Sequence, residues 1–145
     1  MTPTLTLLAL DPGVTTGVAI RSRDNNIITR IVHRPRDLWG IIQTVHPDVV
    51  IFEDFTTPGL ISKDGLYTVR LIGGIEAVTN LCKVPIHVQY PAERYPFIAS
   101  AKQILKASGK KYLVHEIDAL SHLLLYEHLR AKNLLPTNRR TNNVQ

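Results

Sequence analysis

LTLLALDPGVTTGVAI, residues 5–20, is an apolar run that closes on one carboxylate, Asp11, turns through Pro12 and Gly13, and resumes as a second apolar run from Val18. An uninterrupted apolar strand is one buried on both faces, so a carboxylate at its end is unfavourable unless something meets it. Two roles suit Asp11. It caps the glycine-rich turn through its side chain, or it binds a metal ion at the rim of a sheet.

Working outward, residues 18–21 and 27–33 read as strands separated by Arg23-Asp24-Asn25-Asn26, a good turn sequence. Three strands with short connections make an antiparallel meander. After Pro35, which breaks the pattern, residues 37–45 carry Leu38, Ile41, Ile42 and Val45 at helical spacing. Residues 49–52 form a further apolar strand, expected to pair in parallel with the first through a right-handed crossover, and it too ends on acids, Glu53 and Asp54. Residues 55–64 read as a loop. A helix over 66–82 sets Val69, Ile72, Ile75, Val78 or Thr79, and Cys82 on one side. Gly73 and Gly74 inside it weaken the helix by about 1 kcal/mol each, which implies close approach of a neighbouring element or of a second copy. Residues 85–89 give a short strand, 90–97 a proline-flanked break, and 99–107 and 112–132 two helices. One domain over 1–135 and a flexible basic tail over 136–145 complete the expected organisation.

Composition narrows the function classes. With 145 residues and 44% hydrophobic content, the chain suffices for one domain with a core. No apolar stretch is long enough to cross a bilayer, and the N-terminus has no basic-then-apolar signal pattern. The single cysteine, Cys82, provides neither an internal disulfide nor a zinc cluster. A cytoplasmic protein is the expectation. The net charge of +5 is unevenly placed: residues 1–101 hold nine basic and nine acidic side chains, residues 102–145 eight and three. A basic C-terminal part on a neutral body suits a polyanionic partner such as nucleic acid; it equally suits plain solubility.

A third acidic site lies in HEIDAL, residues 115–120. His115 and Asp118 are three apart and neighbour each other on a helix surface. Asp118 and His122 are four apart, so a simple Asp–His helix pair also satisfies the spacing. Asp11 and Glu53 end strands that should be adjacent, and a helix packed on that sheet can bring His115 and Asp118 to the same edge. Acids gathered in this way repel one another unless cations sit between them. Hard oxygen ligands suit Mg2+ or Mn2+, and two such ions suit phosphodiester hydrolysis. A basic flank would hold the nucleic acid there.

Taken in order, LALDPGVTTGVAI, VVIFEDF, VRLIGGIEAVTNLCKVPIHVQYPAERYP, SAKQIL and HEIDALSHLLLY resemble the RuvC family of Holliday junction resolvases, which are RNase H-like nucleases. The resemblance implies an α/β RNase H-like fold: a five-stranded mixed sheet, a three-strand antiparallel meander plus two parallel strands, flanked by helices. It also implies a Mg2+-dependent endonuclease, with Mn2+ substituting and two ions bound. Such an enzyme nicks branched DNA, four-way junctions foremost, as a homodimer that leaves 5′-phosphate and 3′-hydroxyl ends and uses no nucleotide cofactor. Asp11, Glu53 and Asp118 match the family's metal-binding carboxylates. His115 stands where many members have a fourth aspartate and some a histidine, as ligand or base.

Asp54 should point to the opposite face of its strand. Lys102 falls at the family's transition-state lysine, with an exposed helix-start lysine as the plain alternative. Phe55 falls near the aromatic that stacks on a base at the opened junction, or else belongs to the core. Lys106, Lys110, Lys111, Arg139 and Arg140 extend the expected DNA-binding set. The helix over 66–82, with Leu71 left over from its apolar side, is the expected dimer face or else packs in the core. The segment between Pro96 and His115 is shorter than in cellular resolvases and looks like that of compact phage-encoded relatives, whose place is the host-cell cytoplasm. Rival readings are a broader flap or fork debranching nuclease, a non-cleaving junction-binding protein, and an ATP binder built on the Asp11 turn. The last lacks a second phosphate turn.

Overall fold

The central strands are apolar on both sides, and helices cover both. A computed structural model describes residues 4–55 and 61–135. β1 (Leu7–Asp11), β2 (Thr16–Arg21) and β3 (Ile27–Val32) form the antiparallel meander. β4 (Val49–Glu53) pairs in parallel with β1, and β5 (Ile86–Gln89) in parallel with β4, giving the order β3-β2-β1-β4-β5. This is the expected mixed sheet. Leu8 and Leu10 face α1 (Pro35–Val45) and α2 (Lys63–Leu81), whereas Leu7 and Ala9 face α3 (Ile98–Ala107) and α4 (Val114–Ala131). Phe52, Leu8, Ile75, Leu120 and Leu123 are fully buried, and each such side chain contributes about 1.5–3 kcal/mol relative to exposure.

Where the elements depart from the sequence reading, local chemistry explains it. Pro35 opens α1 instead of interrupting the chain, because a proline needs no amide partner in the first helical turn. α2 begins at Lys63, since the Ser62 hydroxyl accepts the Gly65 N–H at 3.0 Å and caps an earlier turn. Its buried side is Leu71, Ile72, Ile75 and Thr79, while Val69 and Cys82 face outward. Leu71 is therefore a core residue and unavailable to a dimer face. The neighbour that Gly74 admits is Trp39 of α1, whose ring would lie 2.7 Å from a Cβ placed there; Gly73 faces open space.

The expected break after β5 is wound as a 3₁₀ turn (Pro91–Phe97), in which the Tyr90 N–H donates to the Glu93 carboxylate at 2.9 Å. Among the described residues no helix is long and apolar enough to cross a membrane. Residues 56–60 of the expected loop and the whole of 136–145, with Arg139 and Arg140, lie outside the described residues.

Candidate active site

Parallel pairing sets Leu10 beside Phe52, so Asp11 and Glu53 emerge next to each other at one rim of the sheet. The turn after β1 is held by Thr16, whose hydroxyl donates to the Gly13 carbonyl at 3.0 Å. Asp11 is thereby left to face α4, where its Oδ2 lies 2.8 Å from His115 Nδ1. α4 reaches the rim because Gly17, the cross-strand partner of Asp11, has no side chain. A Cβ at Gly17 would collide with the main-chain carbonyl of His115.

Ligand atoms of Asp11, His115 and Asp118 all lie within 4.8 Å of one another. Glu53 joins them through Arg94, whose Nε is 3.2 Å from Asp118 Oδ1 and whose Nη1 is 3.5 Å from Glu53 Oε1. Nη1 also donates to the Pro91 carbonyl at 2.6 Å, which ties the guanidinium to its own turn. On its other side Glu53 Oε2 lies 3.1 Å from Nε2 of His122, a fully buried imidazole whose Nδ1 is 2.6 Å from Gln89 Oε1. Glu53 and Gln89 are cross-strand partners in the β4–β5 ladder, so one register sets both ends of this buried chain.

The two acids of the rim titrate in opposite directions. Burial pushes Asp11 up to about 7; the His115 hydrogen bond opposes this, and the negative charges of Glu53 and Asp118 add to it. For Glu53 burial also acts upward, but the His122 hydrogen bond, together with the charges of His122 and Arg94, holds it below the usual carboxylate range. Burial of Asp11 beside two further carboxylates disfavours its ionised form, and a cation bound there would relieve this. An arginine lodged between Asp118 and Glu53 supplies positive charge at the same rim. Two to three carboxylates and one imidazole around an open rim fit a hard divalent cation, with imidazole more congenial to Mn2+ than to Mg2+.

Lys102 and Lys106 are exposed on α3 and Lys111 in the loop after it, none with an ion partner among the described residues. Lys110 is engaged within the fold: its Nζ lies 2.9 Å from the buried Glu116 and donates to the Thr29 carbonyl. Glu116 also accepts from the Thr29 hydroxyl at 2.8 Å and from the Leu113 N–H at 2.8 Å, pinning the start of α4 to β3. Phe55 is half-buried against the core on the α1–α2 side, its ring tip toward Gly65. Asp54 turns back to accept the Phe55 N–H at 3.0 Å.

Arg94, His122 and Gln89 are site residues that the sequence reading did not assign. His122 lies four residues after Asp118 on the same helix, a spacing that was legible, but its partner proves to be Glu53. No periodicity marks Arg94.

No protein-family profile and no curated protein matches the sequence. Solved structures do match in shape. Thermus thermophilus RuvC in complex with a Holliday junction substrate superposes with a TM-score of 0.72 at 12% identity, over 89% of this chain and 96% of that one. Thermus thermophilus RuvC in a second structure gives 0.65 at 14%, over 89% and 97%. The yeast mitochondrial Holliday junction resolvase Ydc2 gives 0.55 at 14%, over 94% and 82%. With its meander, its two added parallel strands and its flanking helices, the chain has the RNase H-like fold in the form seen in RuvC.

Proposed function

We propose that the chain is a divalent-metal-dependent endonuclease of branched DNA, four-way junctions foremost. The observation that carries this reading is the convergence of Asp11, His115 and Asp118, with Glu53 beside them, on one rim of the sheet. The substrate class draws support from the similar structures, two of RuvC and one of a mitochondrial junction resolvase, one of them bound to a junction.

Asp11, Glu53, Asp118 and His115 would hold Mg2+ or Mn2+, one ion or two, which when bound supplies charge to neutralise the phosphate and acidifies water. Asp11 serves as a ligand in its ionised form and so must give up the proton that burial favours. His122 and Arg94 hold the Glu53 carboxylate from two sides and fix its orientation toward substrate. Arg94 can exchange its carboxylate partners for a substrate phosphate, which a guanidinium fork binds well. Where His115, partly exposed at the mouth of the cluster, is not itself a ligand, it serves instead to accept or pass a proton. Lys102, Lys106 and Lys111 provide exposed charge for the DNA backbone. The chain works as a symmetric dimer through the outer side of α2, where Leu66, Val69 and Gly73 are exposed.

Labelled four-way, three-way, flap and linear DNA incubated with Mg2+ or Mn2+, with products mapped to the nucleotide, tests this. Four-way junctions are expected to be nicked in preference. Asp11→Asn and Glu53→Gln should each lose about a hundredfold or more in rate, beyond the loss typical of an outer-shell partner, while binding the junction undiminished. Undiminished nicking by both variants would remove the reading. Equal cleavage of flaps and forks would make the chain a general debranching nuclease, and tight binding without nicking in either metal a junction-binding protein.

A further inference from the structure

We infer that the groove between β3 and α1 is a DNA-backbone site flanking the cleaved phosphate, an inference that rests on the nuclease reading. The groove, of about 620 Å3, is lined by Arg30, His33, Arg34, Arg36 and Asp37 around an apolar floor of Val32, Ile41 and Val45. Arg34 is tied to Asp37, Nε to Oδ2 at 2.7 Å. Arg30 and Arg36 are exposed and have no ion partner among the described residues, so three guanidinium groups face one carboxylate. Guanidinium groups bind phosphate through paired N–H donors.

Position gives this charge its meaning. Asp11 pairs with Gly17 across β1–β2, and Gly17 with Ile31 across β2–β3. Ile31 therefore lies two strands from Asp11 on the same rim, about 10 Å at the usual spacing between strands; its side chain shares the α4 face with Asp11, while Arg30, paired with Val18, lies on the α1 face, so the groove is reached from Asp11 over the edge of the rim. A strand with its reacting phosphate at Asp11 that crosses the rim toward β3 thus brings its flanking phosphates to the mouth of the groove. Since β3 is the edge of the sheet, an acidic peptide adding as a further strand is the rival occupant. The shared rim favours DNA.

Gly40 lines the groove, and a Cβ there would touch nothing within 4 Å. Gly40→Glu therefore places a negative charge in the groove without disturbing packing and with better helix propensity; Gly40→Ala is its neutral control. Binding of a synthetic four-way junction in EDTA is followed by fluorescence anisotropy over a range of salt, for the wild-type chain, Arg30→Gln/Arg36→Gln, Gly40→Glu and Gly40→Ala. The double variant should flatten the plot of log K against log salt by about one for each phosphate it no longer holds, and Gly40→Glu should weaken binding while Gly40→Ala does not. Ethylation of the phosphates flanking the incision mapped in Mn2+ should interfere with the wild type and not with the double variant. Unchanged slopes and interference in the variants, with a wild type that binds and cuts, would overturn the inference and leave the groove to a peptide. A wild type that neither binds nor cuts the junction would overturn the nuclease reading along with it.

Discussion

Asp11 gives up its proton less readily than an ordinary aspartate. It titrates at about 7 in the folded chain against 3.8 for an ordinary aspartate, chiefly because it is buried. A carboxyl raised on folding binds more protons in the native state than in the unfolded one between those two values. Stability therefore falls as pH rises through that window, and the contribution of Asp11 is complete only below about pH 4. In metal-free scanning fluorimetry, Asp11→Asn should raise Tm by about 5 °C near pH 8, with the gain gone at about pH 4. Mn2+ should stabilise the wild type more near pH 8 than near pH 5.5 and do little for Asp11→Asn. A metal-free Asn variant less stable than the wild type near pH 8 would show that His115 already compensates the ionised Asp11. Glu53, a neighbour at the same rim, is shifted the other way because His122 and Arg94 reach it. Neither partner was legible in the sequence. His122 lies 69 residues from Glu53 and Arg94 lies 41, so only the folded chain brings them together.

Two adjacent glycines in α2 have opposite surroundings, which makes the helix a direct test of packing. Gly74 lies under the Trp39 ring and Gly73 faces open space. Gly74→Ala should lower stability by about 1–3 kcal/mol through overpacking, and Gly73→Ala should raise it by up to about 1 kcal/mol through helix propensity, both read from urea unfolding. Equal effects would mean that Trp39 moves aside freely. The strands were the legible elements, because a buried strand writes itself as an apolar run and β1 and β4 each end in an acid of the candidate site. α2 was less legible: with glycines and small residues on several sides, Val69 and Leu71 were both reasonable buried positions, and contact with α1 selects Leu71. The Pro91–Phe97 segment read as a break because its prolines hide a short turn, which carries Arg94 to Glu53 and Asp118.

At the scale of the whole molecule, the apolar residues left on the outside of α2 argue for a second copy. Leu66 and Val69 are each about 40% exposed beside Gly73, a strip on which two helices could approach closely. Sedimentation at micromolar concentration should give a dimer for the wild type and a monomer for Val69→Glu, with the variant cutting one strand of a junction without its symmetric counterpart. A wild type that sediments as a monomer removes the dimer. The packing of α4 on Gly17 has a consequence for synthesis. A ribosome adds about 5–20 residues per second, so Asp11 and Glu53 are exposed for seconds before Asp118 and His122 have been made. A nascent chain cut off anywhere before α4 has Asp11 and Glu53 but not the side chains that complete the rim, so, if the proposed activity holds, it arises only once the last helix has been made.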